Sequence, residues 1–161
     1  MSPSKKFLLA YSKTGPIDGF PCIFIYDTVT FKKLNQIAIS DAQIDSVEFS
    51  GQSNMLLVVS STQQGSEATT STLTVWDFMD GHKDIFCKSM IPIGIEATCW
   101  NPYLAKNADE FVSISDRSYH YWRITPNLQM QYQEGELPKK QHEGFKDNSD
   151  KLTCLSFVKP D

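Results

Sequence analysis

The feature that most constrains this chain is an internal repeat with a period of about 50 residues. Such a period means that one small unit is stacked several times, because each unit alone cannot bury its apolar face. Ser2-Pro3-Ser4-Lys5-Lys6-Phe7-Leu8-Leu9-Ala10-Tyr11-Ser12 aligns with Ser50-Gly51-Gln52-Ser53-Asn54-Met55-Leu56-Leu57-Val58-Val59-Ser60 at a shift of 48 without a gap. A looser third copy runs from Asn101-Pro102-Tyr103, through a polar insertion, to Glu110–Ser115. A second landmark reads Ile23-Phe24-Ile25-Tyr26-Asp27, then Leu73-Thr74-Val75-Trp76-Asp77, then Tyr119-His120-Tyr121-Trp122-Arg123. Its aromatic recurs at shifts of 50 and 46. A third landmark, an apolar run ending in an aromatic, covers Ile44–Phe49, Ile95–Trp100 and Leu152–Phe157, with shifts of 51 and 57. Three landmarks in the same order at nearly the same spacing argue against coincidence.

The unit is built of strands. Helical periodicity is hard to find; short runs of Val, Ile, Phe, Tyr and Trp alternate with turn residues such as Thr14-Gly15-Pro16, Asp80-Gly81 and Pro126-Asn127. In the second unit the runs are Ile44–Phe49, Met55–Ser60, Leu73–Trp76 and about Ile85–Met90, four strands in all. Units of this length with four strands are blades of a β-propeller. The third-strand runs are apolar on both faces, as expected of a sheet sandwiched between two neighbours. The expected fold is all-β: a propeller segment of about three four-stranded blades in an incomplete ring. The blades cover approximately 1–40, 44–90 and 95–137, and residues 151–157 form the first strand of a further blade.

With these residues in place, the chain resembles a divergent WD-repeat protein. The usual Gly-His pair before the first strand is missing. Gly81-His82 falls between the third and fourth strands, and only Asp116 sits where the family has its turn aspartate. The resemblance therefore implies blades held by packing rather than by the family's buried polar tetrad. Ser2-Pro3-Ser4-Lys5-Lys6-Phe7, Pro21-Cys22-Ile23-Phe24-Ile25-Tyr26, Leu73-Thr74-Val75-Trp76-Asp77-Phe78 and Trp100-Asn101-Pro102 are similar to the pattern of the large WD-repeat proteins of cilia and flagella, in order across about 120 residues. That implies a cytoplasmic, cytoskeletal protein of the axoneme. Its expected role is a non-catalytic scaffold in a large assembly, with dynein-tethering complexes, other axonemal proteins or tubulin as partners. The competing reading is a cytosolic adaptor that recognises a peptide or protein partner.

The repeat starts and stops in the same phase. Three blades fall below the roughly 4–8 of closed propellers. The expectation is a piece of a larger propeller, or remaining blades carried by another chain.

Composition narrows the function further. The net charge is −4 and the longest Lys clusters are pairs, so binding driven by phosphate neutralisation is not expected. Apolar runs such as Met55–Val59 are far shorter than the ~18 residues of a membrane span. Cys22, Cys87, Cys99 and Cys154 sit far apart in apolar or strand-like runs with no CxxC, which reads as buried thiols in a reducing compartment. His82, His120 and His142 share no metal-ligand spacing; His120 reads as a packed or edge strand residue and the others as surface. No phosphate-binding loop or nucleophile elbow occurs, and Asp109-Glu110 reads as a loop-to-strand transition. Neither enzymatic activity nor a cofactor is expected.

Two polar stretches stand out as loops: Ser60–Ser71 and the 18-residue Gln133–Asp150. In the second, Phe145 is an isolated aromatic suited to anchor a protein partner, with Lys139 and Lys140 beside it.

Overall fold

The computed structural model describes residues 1–12, 20–39, 43–52, 54–62, 69–79, 85–103, 110–116, 118–136 and 156–157. Among them there are 11 strands and no helix, arranged as three separate antiparallel sheets with no closed barrel. The first sheet is β1 (Phe7–Tyr11), β2 (Cys22–Asp27) and β3 (Lys33–Ala38). The second is β4 (Gln43–Phe49), β5 (Met55–Thr62), β6 (Thr70–Asp77) and β7 (Ile85–Ile91). The third is β8 (Ala97–Trp100), β9 (Glu110–Ile114), β10 (Ser118–Ile124) and β11 (Met130–Glu136). In every sheet the strands lie side by side in chain order.

Register repeats along with topology. Tyr26 stands opposite Leu8, Trp76 opposite Leu56, and Trp122 opposite Phe111. On the other side of those partners, Phe49 faces Leu56 and Trp100 faces Phe111. The turn that opens each second strand is also repeated. The backbone N–H groups of Ser2, Ser50 and Asn101 donate to the carbonyls of Phe7, Met55 and Glu110 at 2.8, 2.9 and 2.9 Å. In the first two sheets a serine hydroxyl helps close that turn: Ser2 Oγ accepts from the Phe7 N–H at 3.0 Å, and Ser50 Oγ from the Met55 N–H at 3.2 Å. After the third-position strand, Asp27 Oδ1 accepts from the backbone of Val29 and Thr30, and Asp77 Oδ1 accepts from Met79. These carboxylates hold tight turns by the local side-chain bonding that favours Asp there.

Two apolar layers join the sheets. One lies between the first and second: Ile23, Ile25 and Ile37 against Leu56, Val58, Trp76 and Phe78. Phe7, Phe49 and Phe78 close it as an aromatic trio with ring centroids 5.3–6.4 Å apart. The other lies between the second and third: Leu57, Val59, Leu73 and Val75 against Trp100, Phe111, Trp122 and Ile124. Residues that alternate along β5 and β6 thus enter different layers, because period-two side chains point to opposite faces. The six residues Met55–Ser60 are all buried for that reason. Each buried aliphatic side chain contributes roughly 1.5–3 kcal/mol, so the second sheet is the most strongly held.

Two expectations change here. Third-position strands were expected to be buried on both faces; β6 is, but β10 alternates, with Tyr119 and Arg123 exposed between His120, Trp122 and Ile124. Only one face of the third sheet is covered by the second. The polar stretch 60–71 is also less of a loop than its composition suggests. Ser60, Ser61 and Thr62 pair with Thr72, Ser71 and Thr70, because β-branched and hydroxylated residues extend the hairpin readily.

The repeat also explains a buried polar atom. Trp122 Nε1 donates to Ser113 Oγ at 2.9 Å inside the layer. Ser113 lies two residues beyond the partner of Trp122; the equivalent place in the second sheet is Val58, and the Trp76 indole N–H finds no acceptor among the described residues. A hydroxyl at position 58 would supply one. Val58→Thr is expected to cost less than about 0.5 kcal/mol in urea unfolding, whereas Val59→Thr, which buries a hydroxyl in the other layer, costs about 1–3 kcal/mol. Ser113→Ala, which orphans the Trp122 indole, should cost about 1–3 kcal/mol.

Candidate interaction site

Phe145, Lys139 and Lys140, the residues that the sequence nominates for partner binding, lie outside the described residues, as do His82, His142, Asp109 and Cys154. His120 is inside the third sheet rather than at its edge, 1% exposed, with Nε2 3.6 Å from Glu134 Oε1. Burial pushes its pKa down and Glu134 only partly opposes this, so the imidazole is neutral at physiological pH. Cys22 and Cys87 are buried and Cys99 is half-buried.

Among the described residues, the surfaces that the sheets leave uncovered are the two ends of the stack. The outer face of the third sheet carries Tyr119, Tyr121, Arg123, Gln131 and Gln133, and an open groove of about 550 Å³ runs along β10 and β11. Tyr119 lies flat over its cross-strand partner Gly135, where a Cβ would run into the ring; the glycine lets the aromatic cover the backbone. Beside it is a compact polar cluster. Glu110 is buried, and its Oε1 accepts from Arg123 Nε at 2.9 Å and pairs with Arg123 Nη2 at 2.8 Å. Its Oε2 accepts from the Tyr121 hydroxyl. Burial, then the neighbouring carboxylate, pushes the Tyr121 hydroxyl up, and the hydrogen bond to Glu110 pushes the Arg123 guanidinium up. The cluster pins β9 to β10 and leaves a guanidinium and two phenol rings on the open face. It was missed in the sequence because Glu110 and Arg123 are 13 residues apart. The one available signal was that Arg123 replaces the aspartate of the other two copies, Asp27 and Asp77.

At the other end is the outer face of the first sheet. Leu8 is 39% exposed, while its counterparts Leu56 and Phe111 are both at 0%. Phe24 and Tyr26 are half-buried beside it, and Lys33 Nζ lies 5.9 Å from the Phe24 ring centre. This face is apolar and lightly charged, as protein-binding surfaces often are at their centre.

A titratable group sits where the second and third sheets meet, on neighbouring β4 and β8. Burial holds Glu48 up at about 7 against an ordinary 4.5, with the Thr98 hydroxyl pulling it back. Burial also pushes the Cys99 thiol up, helped by the Glu48 charge and opposed by the backbone of Phe157. With its pKa at about 7 the Glu48 carboxyl is about half ionised near neutrality, whereas the raised Cys99 thiol stays protonated and is not primed as a nucleophile.

No family model matches the chain, and no curated protein matches it.

Because Glu48 holds its proton more tightly folded than unfolded, folding takes up a proton between pH 4.5 and about 7. Stability is therefore greatest below pH 4.5 as far as this group is concerned, and it falls as pH rises through about 7. Glu48→Gln should remove that decline and stabilise the protein at pH 8 by about 2 kcal/mol relative to its effect at pH 5, read by urea unfolding at both pH values.

Proposed function

We propose that this chain is a WD-repeat type β-propeller segment that acts as a non-catalytic scaffold for other proteins. The observation that carries the reading is the shared register. Tyr26, Trp76 and Trp122 occupy the same position of the same strand in three successive sheets, each opposite the corresponding second-strand residue. Sheets built alike and stacked face to face through apolar layers are what blades require. Rigid stacks of this kind present edges and loops to partners while the core stays constant.

The cellular setting follows from the resemblance to the ciliary and flagellar WD-repeat proteins. The proposed assembly is axonemal, with partners among dynein-tethering complexes, other axonemal proteins or tubulin. The uncovered aromatic and arginine-bearing face of the third sheet supports a protein partner over a nucleic acid, since a net charge of −4 disfavours phosphate binding. Aromatic residues and arginine are the side chains that most often anchor protein interfaces.

Expressed with a tag in a ciliated cell, the protein should remain with axonemes after detergent extraction and come off only with high salt. Recovery wholly in the detergent-soluble fraction would remove the axonemal role and favour the cytosolic adaptor.

A further inference from the structure

The turn before β1 and the turn from β2 to β3 lie side by side at one end of the first sheet. The Thr28 N–H donates to the Lys6 carbonyl at 3.0 Å, and the Thr28 hydroxyl to the Lys5 carbonyl at 2.7 Å. Asp27 Oδ1 fixes the second turn by accepting from the N–H groups of Val29 and Thr30, at 3.0 and 2.6 Å, and from the Thr30 hydroxyl at 2.8 Å. What this braced corner holds out is apolar: Val29 is 84% exposed and Phe31 73%. Phe31 also sits at φ 54° and Lys5 at φ 60°, in the left-handed region that a residue with a Cβ enters at a cost. A turn shaped by folding alone favours Gly or Asn in such places. The exposure does not come from the uncovered face of the first sheet. Met79 stands where Val29 does, bonded in the same way to the turn aspartate of the sheet that is covered on both faces, and it is 52% exposed.

The corner is also basic. Lys5, Lys6, Lys32 and Lys33 fall in these two turns, in a chain whose net charge is −4. Lys33 Nζ turns back to donate to Gln36 Oε1 at 3.0 Å and lies over the Phe24 ring. Lys5, Lys6 and Lys32 are exposed, and among the described residues none of them has an ion-pair partner. The Asp27 carboxylate is committed to the turn. Like charges gathered around an exposed ring add nothing to folding. Together they have the make-up of an aromatic anchor with a steering rim.

We infer that this corner docks an acidic segment of a partner protein, with Phe31 seated among the partner's apolar side chains and Lys5, Lys6 and Lys32 paired with its carboxylates. Charge favours a protein segment over a lipid surface. The connection from β6 to β7 contains Asp77, Asp80 and Asp84 and a single lysine, Lys83, in its sequence. An anionic membrane lying across the stack would bring its headgroups toward those carboxylates, whereas a short acidic segment needs only the first corner. The inference stands on exposure, turn bonding and charge, none of which depends on the propeller reading.

The test is fluorescence anisotropy of two labelled peptides, a Glu-Glu-Leu repeat and a Lys-Lys-Leu repeat, against the 161-residue protein. The acidic peptide should bind and the basic one should not, and binding should weaken as salt rises from about 50 to about 300 mM. Lys32→Glu and Phe31→Gly should each weaken it by about tenfold. Lys88→Glu, at an exposed lysine on β7, should leave it unchanged. Phe31→Gly also carries the control for folding. At φ 54° glycine is the unstrained residue, so this variant should unfold at the same or a higher urea concentration while binding less. An acidic peptide that does not bind, or that binds equally to Phe31→Gly and Lys32→Glu, overturns the inference. So does co-sedimentation with phosphatidylserine vesicles by a protein that ignores the peptide, which would make the corner a lipid site. Retention with axonemes is a separate readout, so the scaffold proposal stands or falls on its own.

Discussion

The structure depends on the burial of the second sheet from both sides. Leu57, Val59, Leu73 and Val75 enter one layer, while Leu56, Val58 and Trp76 enter the other. Side chains that alternate across a strand make this possible, and it is why residues with no polar alternation still form strands rather than helices here. The first and third sheets are held through those layers and keep one face each for other uses.

Beyond packing, the chain handles polar groups unevenly. Glu110 is buried but satisfied by Arg123 and Tyr121 from the neighbouring strand. Trp122 is satisfied by Ser113, whereas Trp76 has Val58 in that place and no acceptor among the described residues. Copies of a repeat drift independently, so the same indole position can be hydrogen-bonded in one sheet and orphaned in the next. The titratable groups pull stability in opposite directions. His120, depressed by burial, costs stability as pH falls because the folded state must give up its proton, and Glu48, raised by burial, costs stability as pH rises.

The strands were largely legible. Met55–Ser60, Phe111–Ile114 and Tyr119–Ile124 stand as β5, β9 and β10 with ends moved by at most two residues. Long apolar runs bounded by turn residues leave little choice. The ends were less clear where the composition is polar: Ser61, Thr62 and Thr70 read as loop yet join the ladder, since hydroxylated residues suit an extended hairpin. The candidate surface was hardly legible. Phe145 drew notice as an aromatic in a polar stretch, whereas Tyr119, Tyr121 and Arg123 looked like ordinary strand residues. Whether a strand residue is core or surface depends on what lies across the sheet, and that neighbour is distant in the chain.

The sequence alone determined that the chain is all-β and built of similar units, because the spacing of its aromatics and turn residues is a local, linear property. Only the tertiary structure decided which faces are spent on packing and which remain open. Leu8 and Leu56 occupy equivalent places in two copies of one motif, yet one is exposed and the other is not. The difference comes from the first sheet, which covers the face of Leu56, while among the described residues no sheet covers the face of Leu8, and such cover is a relation between segments that no single segment contains.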